Sequence, residues 1–330
     1  MLDRFASFLD QHPRVLLTTH ENPDGDGVGA SLGLAAYLRS IGKEARIVVF
    51  PGLPENLKWM DPDNWVEAFE AEGAHAQLAE WPDAWIIVDA SEPTRLGPLY
   101  PGFQGTKAVR ACLDHHMKDA PQGFDEEFTD STASASGQLV FQMARQRMNG
   151  MPAVMVKALY ASLVSDTGNF RFSNATADVH RIAADLITLG AEPARTYQNL
   201  YNTDTPEKLK LFARAFEGMK LVSERRLALL VVRKSDIEGC GASYEDLDEL
   251  VQAPMKLRGI EVSALVYEAM DGRTKVSLRS KERVNVNAVC RQFGGGGHFL
   301  ASGAKLEEPL EVALPRVEAA LKVQIQQDLA

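Results

Sequence analysis

Thr18-Thr19-His20-Glu21-Asn22-Pro23-Asp24-Gly25-Asp26-Gly27-Val28-Gly29-Ala30-Ser31 decides how the first half of this chain folds. The apolar run Val15-Leu16-Leu17 leads into it, and a helical pattern begins near Val28. It therefore reads as a strand that ends in a loop, with a helix directly behind. Open α/β sheets place their chemistry in such loops, at the C-terminal edge of the strands. The loop holds three metal-ligand types, His20, Asp24 and Asp26. Clustered carboxylates repel one another, so something positive is expected among them. The plainer reading is a turn made by Pro23, Asp24 and Gly25.

Working outward, strand-like runs at 14–19, 45–50, 84–90 and 107–113 alternate with helical patterns at 28–41, 134–148, 153–165 and 177–189. This alternation predicts an α/β fold with a mostly parallel sheet. Threonine and proline in Thr205-Pro206-Glu207 suit the cap and first turn of another helix over 205–220. The second half changes character. Strands are expected at 226–233, 261–270 and 274–280, the last two joined by an Asp271-Gly272 hairpin, and helices at 244–251 and 286–293. The expected organisation is a domain over 1–190, a helical linker over 191–215 and a smaller α/β domain over 216–330.

Three further sites share the position of the opening loop, each at or just after the end of an apolar strand or helix. Asp89 closes Trp85-Ile86-Ile87-Val88, Asp114-His115-His116 follows the run ending in Leu113, and Asp166 follows Leu163-Val164-Ser165. Singly, each has a structural reading: an Asx turn for Asp89, one buried and one exposed histidine for the pair, a surface carboxylate for Asp166. Their equivalent placement favours one shared site. Carboxylates with imidazoles and no thiolate suit Mn²⁺, Mg²⁺, Fe²⁺ or Co²⁺. The other pole is the run Gly294-Gly295-Gly296-Gly297 before His298. Glycines let backbone amides approach an anion, and a helix starting after them would add its positive end. Residues 255–283 carry seven basic against four acidic residues, and Arg279 is the candidate phosphate clamp. A solvated basic face is the alternative.

The 330 residues carry a net charge of −10. That opposes a long electrostatic grip on duplex nucleic acid but not a short phosphorylated substrate beside metal ions. Cys112, Cys240 and Cys290 are scattered and odd in number, against a disulfide framework or thiolate zinc site. No run of about 18 uncharged apolar residues is present, and the N-terminus lacks a signal-peptide pattern, so no membrane contact and a cytoplasmic location are expected.

Together these residues resemble the DHH phosphoesterase superfamily, in its DHH–DHHA1 branch. HENPDGDGVGA, DASEPTRLG, LDHH and SDTGNFRFSNAT resemble its four ordered motifs, and FGGGGHFLASGA resembles the DHHA1 signature. The resemblance runs from about residue 10 to about residue 305. It implies two divalent ions, most readily Mn²⁺. One would be held by His20, Asp24 and Asp89, the other by Asp26, Asp89, His115 and Asp166, with Asp89 bridging. His116 would face the scissile phosphate and, with Asp89, carry the chemistry. Arg279, Gly295, Gly296, Gly297 and His298 would hold the substrate's far end, with 191–215 as a hinge. The implied activity is hydrolysis of short single-stranded oligonucleotides (nanoRNA) to mononucleotides and of 3′-phosphoadenosine 5′-phosphate (pAp) to AMP, by a possible homodimer. Cyclic or linear dinucleotides (pApA, pGpG) are alternative substrates, and a non-catalytic nucleotide-binding regulator is the alternative of another class. Ala30, Asp119 and Ser302 depart from the motifs without removing a metal ligand. Asp119 puts the nucleotide preference in doubt.

Overall fold

The computed structural model describes residues 1–116, 123–247 and 249–329. Asp119 lies outside them. The chain forms two compact units, Met1–Thr203 and Asp204–Ala330.

The first unit is built on β1 (Arg14–Thr18), β2 (Glu44–Val49), β3 (Val66–Ala68), β4 (Ala84–Val88), β5 (Val109–Asp114) and β6 (Glu126–Thr129). They form one sheet in the order β3-β2-β1-β4-β5-β6, every neighbouring pair parallel. The order reverses between β1 and β4, so their C-terminal ends flank a crevice, the position where sheets of this kind bind ligands. The helices are α1 (Leu2–Gln11), α2 (Gly25–Ser40), α3 (Tyr100–Gly105), α4 (Ser136–Arg147), α5 (Ala153–Asp166), α6 (Ala177–Thr188) and α7 (Pro193–Tyr201).

The helix α2 fixes the site's floor. It is buried from Gly25 through Leu38, which makes it a central helix rather than an amphipathic surface one. Gly25, Gly29 and Gly33 recur every fourth residue and share a face. A Cβ on Gly29 would lie 2.4 Å from the Ala158 carbonyl oxygen, and one on Gly33 would lie 2.4 Å from Leu159 Cδ2. These glycines let α2 and α5 meet backbone to backbone.

The second unit comprises α8 (Pro206–Glu217), β7 (Lys220–Val222), β8 (Leu227–Val232), α9 (Lys234–Cys240), β9 (Val262–Glu268), β10 (Thr274–Ser280), α10 (Val286–Arg291), β11 (Gly296–Gly297), β12 (Ala301–Leu306) and α11 (Leu310–Leu329). Its sheet runs β11-β12-β10-β9-β8-β7 and is antiparallel except between β8 and β9. One apolar core lies with α10 and α11, another with α8 and α9.

Three expectations change here. The stretch 191–215 is divided: Leu200 of α7 joins the core of the first unit and Leu211 of α8 a core of the second. Where a helix is expected over 244–251, the described residues form a short 3₁₀ turn at Glu245–Leu247; residue 248 lies outside them. Asp246 takes the Ser243 N–H at 2.8 Å, and Leu247, Leu250 and Val251 are drawn onto the core, so burial wins over a continuous helical ladder. No helix starts after the glycine run; it leads into the strand pair β11–β12. The Asp271-Gly272 hairpin forms, with Gly272 at φ +79° and Glu268 opposite Thr274. Among the described residues no helix is long and apolar enough to cross a membrane, and the three cysteines are free.

Candidate metal centre

Each element of the first unit delivers its side chains to the crevice for a local reason. Asp24 caps α2: its Oδ1 accepts the N–H groups of Asp26 and Gly27, each at 3.0 Å. Capping uses one oxygen and leaves Oδ2 3.7 Å from His20 Nε2. Asp26, in the first turn of α2, is fully buried. Its carboxylate sits on the N-terminus of α4, accepting from Ser136 N–H at 2.7 Å and Gly137 N–H at 3.1 Å, and from the Ser162 hydroxyl of α5 at 2.5 Å. The Ser162 contact exists because the glycines of α2 let α5 come so close. Even so, burial holds the Asp26 carboxyl above its ordinary value, with His115 opposing and Asp24 adding to the rise.

Asp89 follows β4 in a left-handed conformation, φ +62°, which Asp and Asn tolerate better than other side-chain-bearing residues. Its N–H donates to the Leu113 carbonyl at 2.9 Å. The turn points a 2% exposed carboxylate at the centre of the group, with Oδ2 3.9 Å from His20 Nε2 and Oδ1 3.5 Å from His115 Nε2. Burial, then the charges of Asp26, Asp24, Asp114 and Asp166, push the Asp89 carboxyl well above the carboxylate range. The same causes, burial first and Asp26 next, push Asp166 up to about 7. Asp166 is steadied by Asn174, whose amide donates to its carbonyl at 3.1 Å.

The histidines divide into two kinds. His20 Nδ1 lies 3.0 Å from the Glu21 carbonyl, and His115 Nδ1 lies 3.3 Å from the Ala133 carbonyl. A carbonyl only accepts, so Nδ1 is the donor in both rings and Nε2 is the nitrogen turned towards the carboxylates. Among the described residues, the buried His115 Nε2 has no hydrogen-bond partner. It faces three carboxylate oxygens, at 3.6 Å (Asp26), 3.5 Å (Asp89) and 3.4 Å (Asp166). His116 is arranged otherwise. Its Nδ1 donates to Asp114 Oδ1 at 2.7 Å, and its side chain is 47% exposed. Asp114 itself is buried; burial pushes its carboxyl up, but His116 and the backbone outweigh this and hold it down at about 2.

Carboxylate oxygens and imidazole nitrogens converge at this edge of the sheet. Among the described residues, three groups have ligand atoms within 4.8 Å of one another: His20, Asp24 and Asp89; Asp26, His115 and Asp166; and Asp89, Asp114, His115 and His116. Among the described residues, the ion-pair partners of these carboxylates are histidines, not Lys or Arg. The donor set of carboxylate oxygen and imidazole nitrogen fits hard and borderline divalent ions. The structure thus brings the six sequence-predicted ligands into groups that overlap at Asp89 and His115, with His116 and Asp114 alongside.

Sequence reasoning missed the supporting residues. Asp114 was grouped with the histidines, yet it serves to hold His116. Ser136, Gly137 and Ser162 around Asp26 carry no pattern of their own; only the glycine spacing in α2 hints that something must pack closely there. Asn174 lies inside the SDTGNFRFSNAT stretch and was visible as an amide near Asp166.

In the second unit, Arg279 on β10 pairs with Ala301 and Gly297 pairs with Ser302, so both lie beside the exposed turn His298–Ala301. The four glycines have different reasons. Gly294 ends α10 at φ +73°, Gly295 would carry a Cβ 2.2 Å from the Gly303 carbonyl oxygen, and Gly297 one 2.6 Å from that of Ala301. Gly296 has nothing within 4 Å of its would-be Cβ. Much of the local basic excess is tied up: Arg273 pairs with Asp271 and Glu307, and Arg283 with Glu261.

The DHH family N-terminal domain matches residues 14–165 and the DHHA1 domain residues 228–327. A bifunctional oligoribonuclease and PAP phosphatase NrnA of Thermus thermophilus is 30% identical over 94% of this chain and 90% of its own length. The chain belongs to the DHH family. A second DHH-family relative, the NrnA protein of Bacillus subtilis, is 29% identical over 90% of this chain and 91% of its own. An exopolyphosphatase-related protein from Bacteroides fragilis shares the fold, with a TM-score of 0.90 at 24% identity, over 98% of this chain and 95% of its own.

Proposed function

We propose that the chain is a two-metal phosphoesterase that hydrolyses dinucleotides to short oligonucleotides into mononucleotides, and pAp to AMP. The observation that carries this reading is the buried Nε2 of His115, turned towards three carboxylates. The names of the Thermus and Bacillus relatives support the substrate class. His20, Asp24 and Asp89 would hold one ion and Asp26, Asp89, His115 and Asp166 the other, with Asp89 shared. Mn²⁺ is the first choice from the donor set. Bound there, divalent cations supply Lewis acidity at the phosphoryl oxygens and a nucleophile at neutral pH.

The chain's own residues do the rest. The main-chain carbonyls of Glu21 and Ala133 fix the tautomers of His20 and His115. Ser136, Gly137 and Ser162 immobilise Asp26, so the group is preorganised rather than assembled on demand. Asp114 holds His116 by Nδ1, which leaves Nε2 as the atom that can bond a phosphoryl oxygen or give a proton to the departing ribose oxygen. In the second unit, taken by itself, Arg279 and the amides around Gly296 would grip a terminal phosphate or base. A cytoplasmic homodimer is part of the same proposal.

Elemental analysis and a panel of pAp, pApA, pGpG, cyclic dinucleotides and di- to pentanucleotides with Mn²⁺ test it. We expect bound divalent metal and Mn²⁺-dependent release of AMP from pAp and of mononucleotides from the shorter oligomers. A protein that binds nucleotides, holds no metal and hydrolyses none of them would instead be a regulator.

A further inference from the structure

A cavity of about 240 Å³ in the first unit borders the metal group and shares Asp24 with it. Its lining includes Pro54, Asn56, Leu57, Ser165 and Tyr201. Its walls are fixed. Leu57 is part of the core, the Tyr201 hydroxyl donates to the Val164 carbonyl at 3.1 Å, and its ring lies 5.2 Å from that of Tyr197. A Cβ on Gly25 would stand 2.7 Å from Ser165 Oγ, so the start of α2 and the end of α5 close one side. Two polar groups remain: among the described residues, neither the Asn56 amide nor the Ser165 hydroxyl has a hydrogen-bond partner.

Whole drug-sized ligands occupy ~300–1,000 Å³, so this cavity suits one ring system. Apart from Asp24, which the proposed ion would engage, the lining carries no charged side chain and no cation for a phosphate, which suits a neutral base. An amide offers two donors and an acceptor side by side, the pattern that pairs with N6 and N7 of adenine. Tyr201 supplies an aromatic wall of the kind on which bases stack. Resting on the phosphoesterase reading above, we infer that this cavity receives the nucleobase next to the scissile phosphate, with Asn56 reading the base edge.

The test compares pApA, its counterpart with unsubstituted purine in place of adenine, and the base-free diester bis(4-nitrophenyl) phosphate, all with Mn²⁺, in the whole protein and in Asn56→Ala. Metal content and melting temperature are checked alongside. We expect KM for pApA to rise about tenfold, the low end for a bidentate base contact. The loss on the base-free diester should be much smaller, and the preference for adenine over purine should collapse. Equal losses on all three substrates, or an unchanged adenine preference, would overturn the inference while leaving the phosphoesterase reading intact. A wild-type protein that hydrolyses none of them defeats that reading instead.

Discussion

The two units build recognition from opposite materials. The first uses side chains that are each held by a second group: buried Asp26 by a helix N-terminus and a serine, half-exposed His116 by buried Asp114. The second uses mostly exposed backbone, four glycines that follow α10 and of which the last two form the strand β11. Locked side chains suit a centre that must not rearrange during a reaction. Bare backbone suits a surface that must let a ligand come close.

The largest expected effect breaks the first half of that comparison. Asp89→Asn keeps a residue that accepts the left-handed turn and removes the buried charge. Activity with Mn²⁺ should fall by about 10³-fold or more, as for the loss of a residue that acts only with the metal group. The metal-free variant should melt higher than the metal-free parent, because one of the mutually repelling carboxylates has gone. Wild-type-like turnover would sink the shared-ligand assignment.

Glycines sharpen the contrast next. Gly29→Ala forces α2 away from α5 and should cost about 1–3 kcal/mol by overpacking, with lost activity as Ser162 leaves Asp26. Gly296→Ala meets nothing and should leave the melting point within about a degree, while KM rises if a ligand lies against that amide. Urea titrations of both variants decide this. Arg279→Ala comes third: a KM increase of about tenfold on pAp and pApA, with kcat little changed, is expected for a contact made equally in ground and transition states. Unchanged kinetics would remove Arg279 from the grip.

The smallest effect is in pH. Asp166, raised to about 7, binds its proton more tightly folded than unfolded. Its contribution to stability is present below about pH 4 and lost as pH climbs towards 7. Asp114, held at about 2, works the other way: its contribution is present above about pH 4 and lost as pH falls towards 2. Metal-free protein should therefore soften between about pH 4 and pH 7 by roughly a few degrees. Added Mn²⁺ should raise the melting point more at pH 8 than at pH 6, since it replaces that proton. Scanning fluorimetry with and without Mn²⁺ measures both.

Much of this was legible before any coordinates. Strands β1, β2, β4 and β5 each contain an apolar run, and the ends of β1, β4 and β5 carry His20, Asp89 and Asp114-His115. β3 and β6 escaped notice because each is short and only Phe128 between them is buried. The helix expected over 244–251 failed because apolar spacing does not say whether a segment is held by its own hydrogen bonds or by the core beneath it. The supports of Asp26 could not be read at all. Ser136 and Ser162 lie more than a hundred residues from it, and only the packing of three helices makes them neighbours.

The carbonyls behind His20 and His115 bear on how such a centre can drift. An oxygen of the main chain is present whatever side chain positions 21 and 133 carry, so no ordinary substitution at either can delete it. The partner of His116 is a side chain and is open to replacement. Over generations of copying errors, the metal-facing imidazoles are insulated in their orientation, whereas His116 is exposed to tuning through position 114. A library randomised there should yield a graded series of activities, and one randomised at 133 should yield mostly parent-like or unfolded clones.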